Sequence, residues 1–167
     1  MKTAIVIPAR YASQRLPAKP LLRQTGKYLV QHVYERACLA RKAGAVVVAT
    51  DDPRIVAAVE SFGGQVVLTR RDHASGTDRV AEVAQELDAE IIVNLQGDEP
   101  LVDPAALDLL PELLRRDPGA DMATLAAPIA SAEPSSTTTT VMSRCGSDSS
   151  ASQQISSRRR GRFWASL

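Results

Sequence analysis

The sequence predicts an α/β fold built on a mainly parallel sheet. Short apolar runs without polar alternation take turns with segments of roughly 3.6-residue apolar period, and the loops after the runs are rich in charge, proline and glycine. The first signature belongs to strands buried on both faces and the second to helices lying over them. Right-handed crossovers are expected between such strands.

Taken in order, Thr3–Ile7 is a continuous apolar run and reads as the first strand. A loop follows that holds Arg10, Arg15 and Lys19 among Pro8, Pro17 and Pro20. From Tyr28 to Ala43, Leu29, Val30, Val33, Ala37 and Ala40 recur at helical spacing, and Gly44 is expected to end that helix. Ala45–Thr50 is a second buried strand. Asp51-Asp52-Pro53 then offers a cap and a first-turn proline to a helix running through Phe62, which Gly63-Gly64 stops. Gln65–Thr69 reads as a third strand, and a loop, Arg70–Asp78, leads to a helix ending near Asp88. Glu90–Leu95 is a fourth strand, followed by Q-G-D-E-P at 96–100. Asp103-Pro104 opens a helix to about Arg116, and Asp121–Ala127 reads as a fifth strand.

From about Glu133 this grammar stops. Serine, threonine and arginine dominate without sustained periodicity, so residues 1–132 are expected to form the α/β domain and 133–167 a disordered tail. The tail's five arginines and two acids give it +3 of the chain's net +1, which leaves the body at −2. The body is therefore no general polyanion binder, and a phosphate site within it must be local. Two cysteines without ligand spacing argue against a disulfide framework and a zinc site. No apolar run is long enough for a membrane span, and a cytoplasmic protein is expected.

Three loops lie at strand ends: the basic loop at 8–20, the loop at 70–78 and Q-G-D-E-P. In a doubly wound sheet such loops gather along one edge, where ligands bind. Alone, the three cations read as solvated charge; with partner loops they suit a polyphosphate. Asp98 follows a buried strand and a glycine, with no evident cationic partner next to it, and suits a Mg²⁺ ligand. Ser75-Gly76-Thr77-Asp78 approximates a capping box, and its helix start also admits an anion close to backbone N–H groups. His73 reads as a loop or core residue. Neither a G-x-x-x-x-G-K-[ST] nor a G-x-G-x-x-G pattern occurs.

The segments I-P-A-R-Y-A-S-Q-R-L-P-A-K-P-L at 7–21, V-A-T-D at 48–51, D-H-A-S-G-T-D-R at 72–79, V-N-L-Q-G-D-E-P at 93–100 and M-A-T-L-A-A-P-I at 122–129 resemble the 3-deoxy-manno-octulosonate cytidylyltransferase (CMP-KDO synthetase) family in order and spacing. The resemblance covers Met1 to about Glu133. It implies a Rossmann-like nucleotidyltransferase fold of the nucleotide-diphospho-sugar transferase type, and conversion of CTP and 3-deoxy-manno-octulosonate to CMP-KDO and pyrophosphate with Mg²⁺, for lipopolysaccharide biosynthesis. Ala9, Arg10, Arg15, Lys19, Ser75 and Gly76 then match nucleotide-binding positions, with Arg10, Lys19 and Asp98 catalytic, Asp98 the metal ligand and Gln96 near the sugar. A homodimer is implied, and neither nucleic acid nor membrane is an expected partner.

Two positions depart locally from the family: Ala18 replaces a frequent glycine, adding a methyl, and Tyr28 a usual proline. The larger departure is the text after Glu133, which reads like an alternative reading frame and lacks the family's later strands, sugar-binding arginine and second metal carboxylate. The fold is therefore expected to be incomplete there and turnover poor. Two other functions stay open: a non-catalytic nucleotide-binding protein with a basic tail, and another sugar nucleotidyltransferase such as the sialic-acid enzyme.

Overall fold

The computed structural model describes residues 1–12, 16–117, 119–125 and the backbone of 163–166. Its strands are β1 (Thr3–Ala9), β2 (Ala45–Thr50), β3 (Val66–Leu68), β4 (Ile91–Asn94), β5 (Met122–Thr124) and β6 (Phe163–Ser166). The helices are α1 (Leu29–Ala37), α2 (Pro53–Ser61), α3 (Gly76–Glu86) and α4 (Pro104–Arg116). They form one sheet in the order β3-β2-β1-β4-β6-β5, and every pairing is parallel. The expected α/β class and the alternation of strand and helix are both present.

The central strands β1, β2 and β4 are buried on both faces because apolar residues fill nearly all their positions, with Thr3, Thr50 and Asn94 buried at strand ends. Ile5, Ile7, Val46, Val48, Ile91 and Val93 point to one face and pack with α1, α2 and α4 through Val30, Val33, Ile55, Val59, Leu107 and Leu110. Ala4, Val6, Val47, Ala49 and Ile92 point to the other and meet Val80, Val83 and Ala84 of α3. This alternation within continuous apolar runs is the period-2 geometry of strands, and it explains why the strand interiors are apolar on both faces.

Differences from the sequence reading have local causes. Helix α1 ends at Ala37, well short of Ala43. The amides of Leu39 and Ala40 turn to the carbonyls of Arg36 and Ala37 at 3.1 and 3.0 Å, and the amides of Arg41 and Lys42 then donate to the Asp108 carboxylate of α4 at 3.1 and 2.8 Å. Those amides are turned to a neighbouring helix and cannot extend their own. Gly44 instead donates to Thr3 O at 2.8 Å and starts the β2 pairing. Tyr28 caps α1 at φ −64°, the value a proline would fix, so its substitution leaves the helix start unchanged. Within the expected tail, Phe163–Ser166 forms β6 between β4 and β5, contrary to the reading of that stretch as lacking regular structure. The rest of the expected tail lies outside the described residues.

This topology positions one crevice. The chain winds outward from β1 through β2 to β3, then returns to place β4 on the other side of β1. The loops leaving the carboxyl ends of β1 and β4 therefore part in opposite directions at that boundary, where open α/β sheets bind ligands.

Candidate functional site

At the end of β1 the chain leaves the sheet through Arg10, whose guanidinium turns toward the loop before α3. Arg10 Nη2 donates to His73 O at 3.0 Å and Nη1 to Ala74 O at 3.4 Å, while its buried Nε has no partner. The loop is then held at its base, where Ala18 N donates to Tyr11 O at 2.9 Å. The Arg54 guanidinium lies 3.3 Å from the Tyr11 ring centre and is fixed in turn by both oxygens of Asp52. Ala18 takes the left-handed conformation, φ 57° and ψ 20°, to turn the chain into the 3-10 turn Lys19–Leu21. The methyl at this position therefore carries strain that the sequence reading did not assign to it.

Lys19 opens that turn and reaches across the crevice. Its Nζ donates to Asp98 Oδ2 at 2.7 Å, with the two side chains 37% and 49% exposed. Asp98 thus has a cationic partner, contrary to the expectation from its sequence neighbours: the proline-held loop folds over the end of β4 and brings in a lysine 79 positions away. Such a half-exposed pair is weak, so each group remains available to a stronger partner.

Gly97 lets the loop after β4 close on Pro8. A Cβ at Gly97 would lie 2.9 Å from Pro8 O, a distance real side chains do not tolerate. Gly76 also faces Pro8, where a Cβ would make only an ordinary contact at 3.5 Å. The result is a cavity of about 280 Å³ lined by Ala9, Arg10, Lys19, Gly76, Gln96 and Asp98, together with Pro8 and Gly97. Gln96 is held toward it by donating from Nε2 to Asn94 Oδ1 at 3.1 Å.

Six of the eight residues assigned from the sequence therefore line one cavity. Ser75 does not: its hydroxyl accepts from Asp78 N at 3.1 Å, and its amide donates to Asp78 Oδ2 at 2.9 Å, the expected capping box. The Ser75 hydroxyl, hydrogen-bonded to the Asp78 carboxylate, holds that carboxyl below its usual range. Arg15 lies outside the described residues. His73 takes the structural role read for it, with a side chain 6% exposed and its Nε2 paired to Glu82 Oε2. That hydrogen bond is the main cause holding the Glu82 carboxyl below its usual range. Gly97 escaped the sequence reading as a site residue, although its place beside Asp98, directly after a buried strand, was the signal.

A cytidylyltransferase family model matches residues 4–158. The chain belongs to the cytidylyltransferase family. That match runs past Glu133, whereas pairwise similarity to curated cytidylyltransferases is shorter. The chain is 52% identical over 132 residues to the 3-deoxy-manno-octulosonate cytidylyltransferase of Escherichia coli, covering 79% of this chain and 54% of the relative. It is 54% identical over 129 residues to the 8-amino-3,8-dideoxy-manno-octulosonate cytidylyltransferase of Shewanella amazonensis, covering 75% and 53%. The solved CMP:2-keto-3-deoxy-manno-octonic acid synthetase complexed with CTP superposes with a TM-score of 0.70 at 49% identity, over 76% of this chain and 54% of that one. A nucleotidyl transferase from Methanothermobacter thermautotroptrophicus, at 18% identity and TM-score 0.63, shares the fold. This cytidylyltransferase chain has the nucleotidyltransferase fold, and it spans about half the length of the curated relatives it matches.

Proposed function

We propose that the chain carries the nucleotide-binding half of a cytidylyltransferase that activates 3-deoxy-manno-octulosonate with CTP, for lipopolysaccharide biosynthesis. The carrying observation is the convergence of Arg10, Lys19, Gly76, Gln96 and Asp98 on one cavity at the β1–β4 boundary. Similarity to the enzyme solved with CTP supports the choice of nucleotide.

In this reading the sugar's anomeric hydroxyl attacks the α-phosphorus of CTP in line. A new oxygen–phosphorus bond forms, the bond to the bridging oxygen breaks, pyrophosphate leaves and the hydroxyl proton passes to solvent. The chain's part is placement and neutralisation of charge. Lys19 leaves Asp98 for the triphosphate near the scissile bridge, and Arg10, held by two carbonyls, presents its remaining N–H groups to the phosphates. Arg15 adds a further charge from the same loop. Gly76 admits the nucleotide beside the start of α3, and Gln96 orients the sugar.

The residues fit Mg²⁺ carried in with a nucleotide. Asp98 offers one half-exposed carboxylate, and no group of three ligating side chains occurs among the described residues. Mg²⁺ is commonly held by one or two carboxylates with phosphate oxygens and water. When bound it would neutralise triphosphate charge. The relatives acting on the 8-amino sugar are equally similar, so that compound is the second substrate to test.

The reading is tested by calorimetric titration of CTP with Mg²⁺ into the chain. Weak binding is expected, reduced at least tenfold by Arg10→Ala and by Lys19→Ala; unchanged binding in both variants would remove the site assignment. Pyrophosphate release with either sugar is expected to be poor for this chain, and its rate with each sugar ranks the two substrates. A dimer belongs to the same reading and is checked by sedimentation equilibrium. Among the described residues no helix is long and apolar enough to cross a membrane; the cytoplasmic placement is checked by cell fractionation.

A further inference from the structure

The V-A-T-D and S-G-T-D-R segments meet at an ion pair, its arginine buried and its Asp51 side chain 22% exposed, that the proposed chemistry does not use. Arg79, in the first turn of α3, is 0% exposed and is the largest fully buried side chain among the described residues. Its Nη2 donates to Asp51 Oδ2 at 2.8 Å. Its Nη1 donates to the Thr69 hydroxyl and, at 3.3 Å, to Arg70 O. The Thr69 hydroxyl donates onward to Thr50 O at 3.1 Å.

One guanidinium therefore joins the carboxyl ends of β2 and β3 to the start of α3. Burying a charge is costly even when paired, and Arg79 Nε stays without a partner. Apolar packing often holds elements together as well as a buried ion pair does, so the pair is weak evidence of a purely stabilising role. The planar fork of arginine offers what an apolar residue lacks: fixed directions toward several acceptors.

What those directions fix is the loop between Arg70 and Arg79. Its two ends are tied, by Arg79 at the Arg70 carbonyl and by the capping box at Ser75. Between them stand the carbonyls of His73 and Ala74 that hold Arg10. We propose that Asp51, Arg79 and Thr69 are positioning residues for the nucleotide cavity, setting the loop at 70–75 so that two of its carbonyls aim the Arg10 guanidinium. None of the three lines the cavity. The proposal rests on the CTP reading for its functional consequence, and on the contacts alone for its structural one.

The test uses the full chain and four variants. Thr69→Val removes the hydroxyl at constant shape, Thr69→Ser restores it, Asp51→Asn removes the charge and Arg79→Lys removes the fork. Two quantities are read: CTP affinity, and hydrogen exchange of the bonded Ser75 and Asp78 amides relative to the Leu95 amide in the sheet. Thr69→Val, Asp51→Asn and Arg79→Lys are expected to raise the relative exchange at least tenfold and to weaken CTP binding at least tenfold. Thr69→Ser is expected within about twofold of the parent in both.

Exchange that rises equally at Leu95, a loop that stays protected in folded Asp51→Asn, or a Thr69→Ser as impaired as Thr69→Val would each overturn the proposal. If Arg79→Lys does not fold, the two Thr69 variants still decide. A parent that fails to bind CTP overturns the functional reading while loop exchange still judges the positioning. A parent that binds CTP, with loosened variants that bind it equally well, overturns the positioning and leaves the function standing.

Discussion

Single residues show how much the cavity depends on backbone conformation that composition does not announce. Ala18 sits at φ 57°, where an L-residue with a Cβ is disfavoured by roughly 1–2 kcal/mol and glycine is not. Ala18→Gly should therefore leave stability unchanged or raise it by about 1 kcal/mol after glycine's own entropy cost. A lowered melting temperature would contradict that. Arg10 and Asp98 could be read from the sequence because each comes shortly after a buried strand, whose end predicts the sheet edge, and Gly76 because it opens a helix. Lys19 stood out as a cation of the basic loop, and Gln96 came only with the family resemblance. The conformation of Ala18 is not carried by alanine, which disfavours it; the frequent glycine of the family at this position was its one signal. The pairing of Lys19 with Asp98 was hidden for a different reason: it exists only through the loop's path over β4.

Carboxylates also set a pH dependence at this scale. The carboxyls of Asp52, Asp78 and Glu82 are held low chiefly by hydrogen bonds from Arg54, Ser75 and His73. A depressed folded pKa means the unfolded chain binds the proton first as pH falls, so stability rises with pH across that window. The contribution is complete above about pH 5 and is lost as pH falls below about 4 toward the folded values. Thermal melts should be level from pH 6 to 5 and fall below 4; a melting temperature that rises on acidification would contradict the assignment.

At the scale of elements, the start of α3 serves both stability and site geometry. Its S-x-x-D signature was plain in the sequence because capping is a local code, and the capping box is formed. Ser75→Ala should cost about 1 kcal/mol in denaturant unfolding. Gly97→Ala should act differently, since its Cβ would meet the Pro8 carbonyl and push the loop after β4 away from β1. CTP affinity should drop at least tenfold while the unfolding midpoint moves modestly; unchanged affinity would show that the loop adapts. The end of α1 is less legible, because the amides of Leu39 and Ala40 take turn partners and those of Arg41 and Lys42 go to Asp108, distant in sequence. Interior periodicity is local information, whereas a helix end is settled by whatever takes the next amides.

For the whole molecule, the two-faced sheet follows from continuous apolar runs that only a doubly covered strand can use. Strand β6 did not follow, because Phe163–Ser166 is four residues in a serine- and arginine-rich stretch and becomes a strand through the open edges beside it. Deleting residues 163–167 should leave β5 without a neighbour, lower the melting temperature and expose the 122–125 segment to proteases. An unchanged melting temperature would show that β6 adds nothing to the sheet. The same insertion has a consequence for folding during synthesis. Strands β1 to β4 can pair as they emerge from the ribosome, but β5 must wait until residues 163–166 have followed it. Through that interval β4 offers an unoccupied hydrogen-bonding edge to any other chain nearby, so the yield of native protein should be set by how fast that gap is filled.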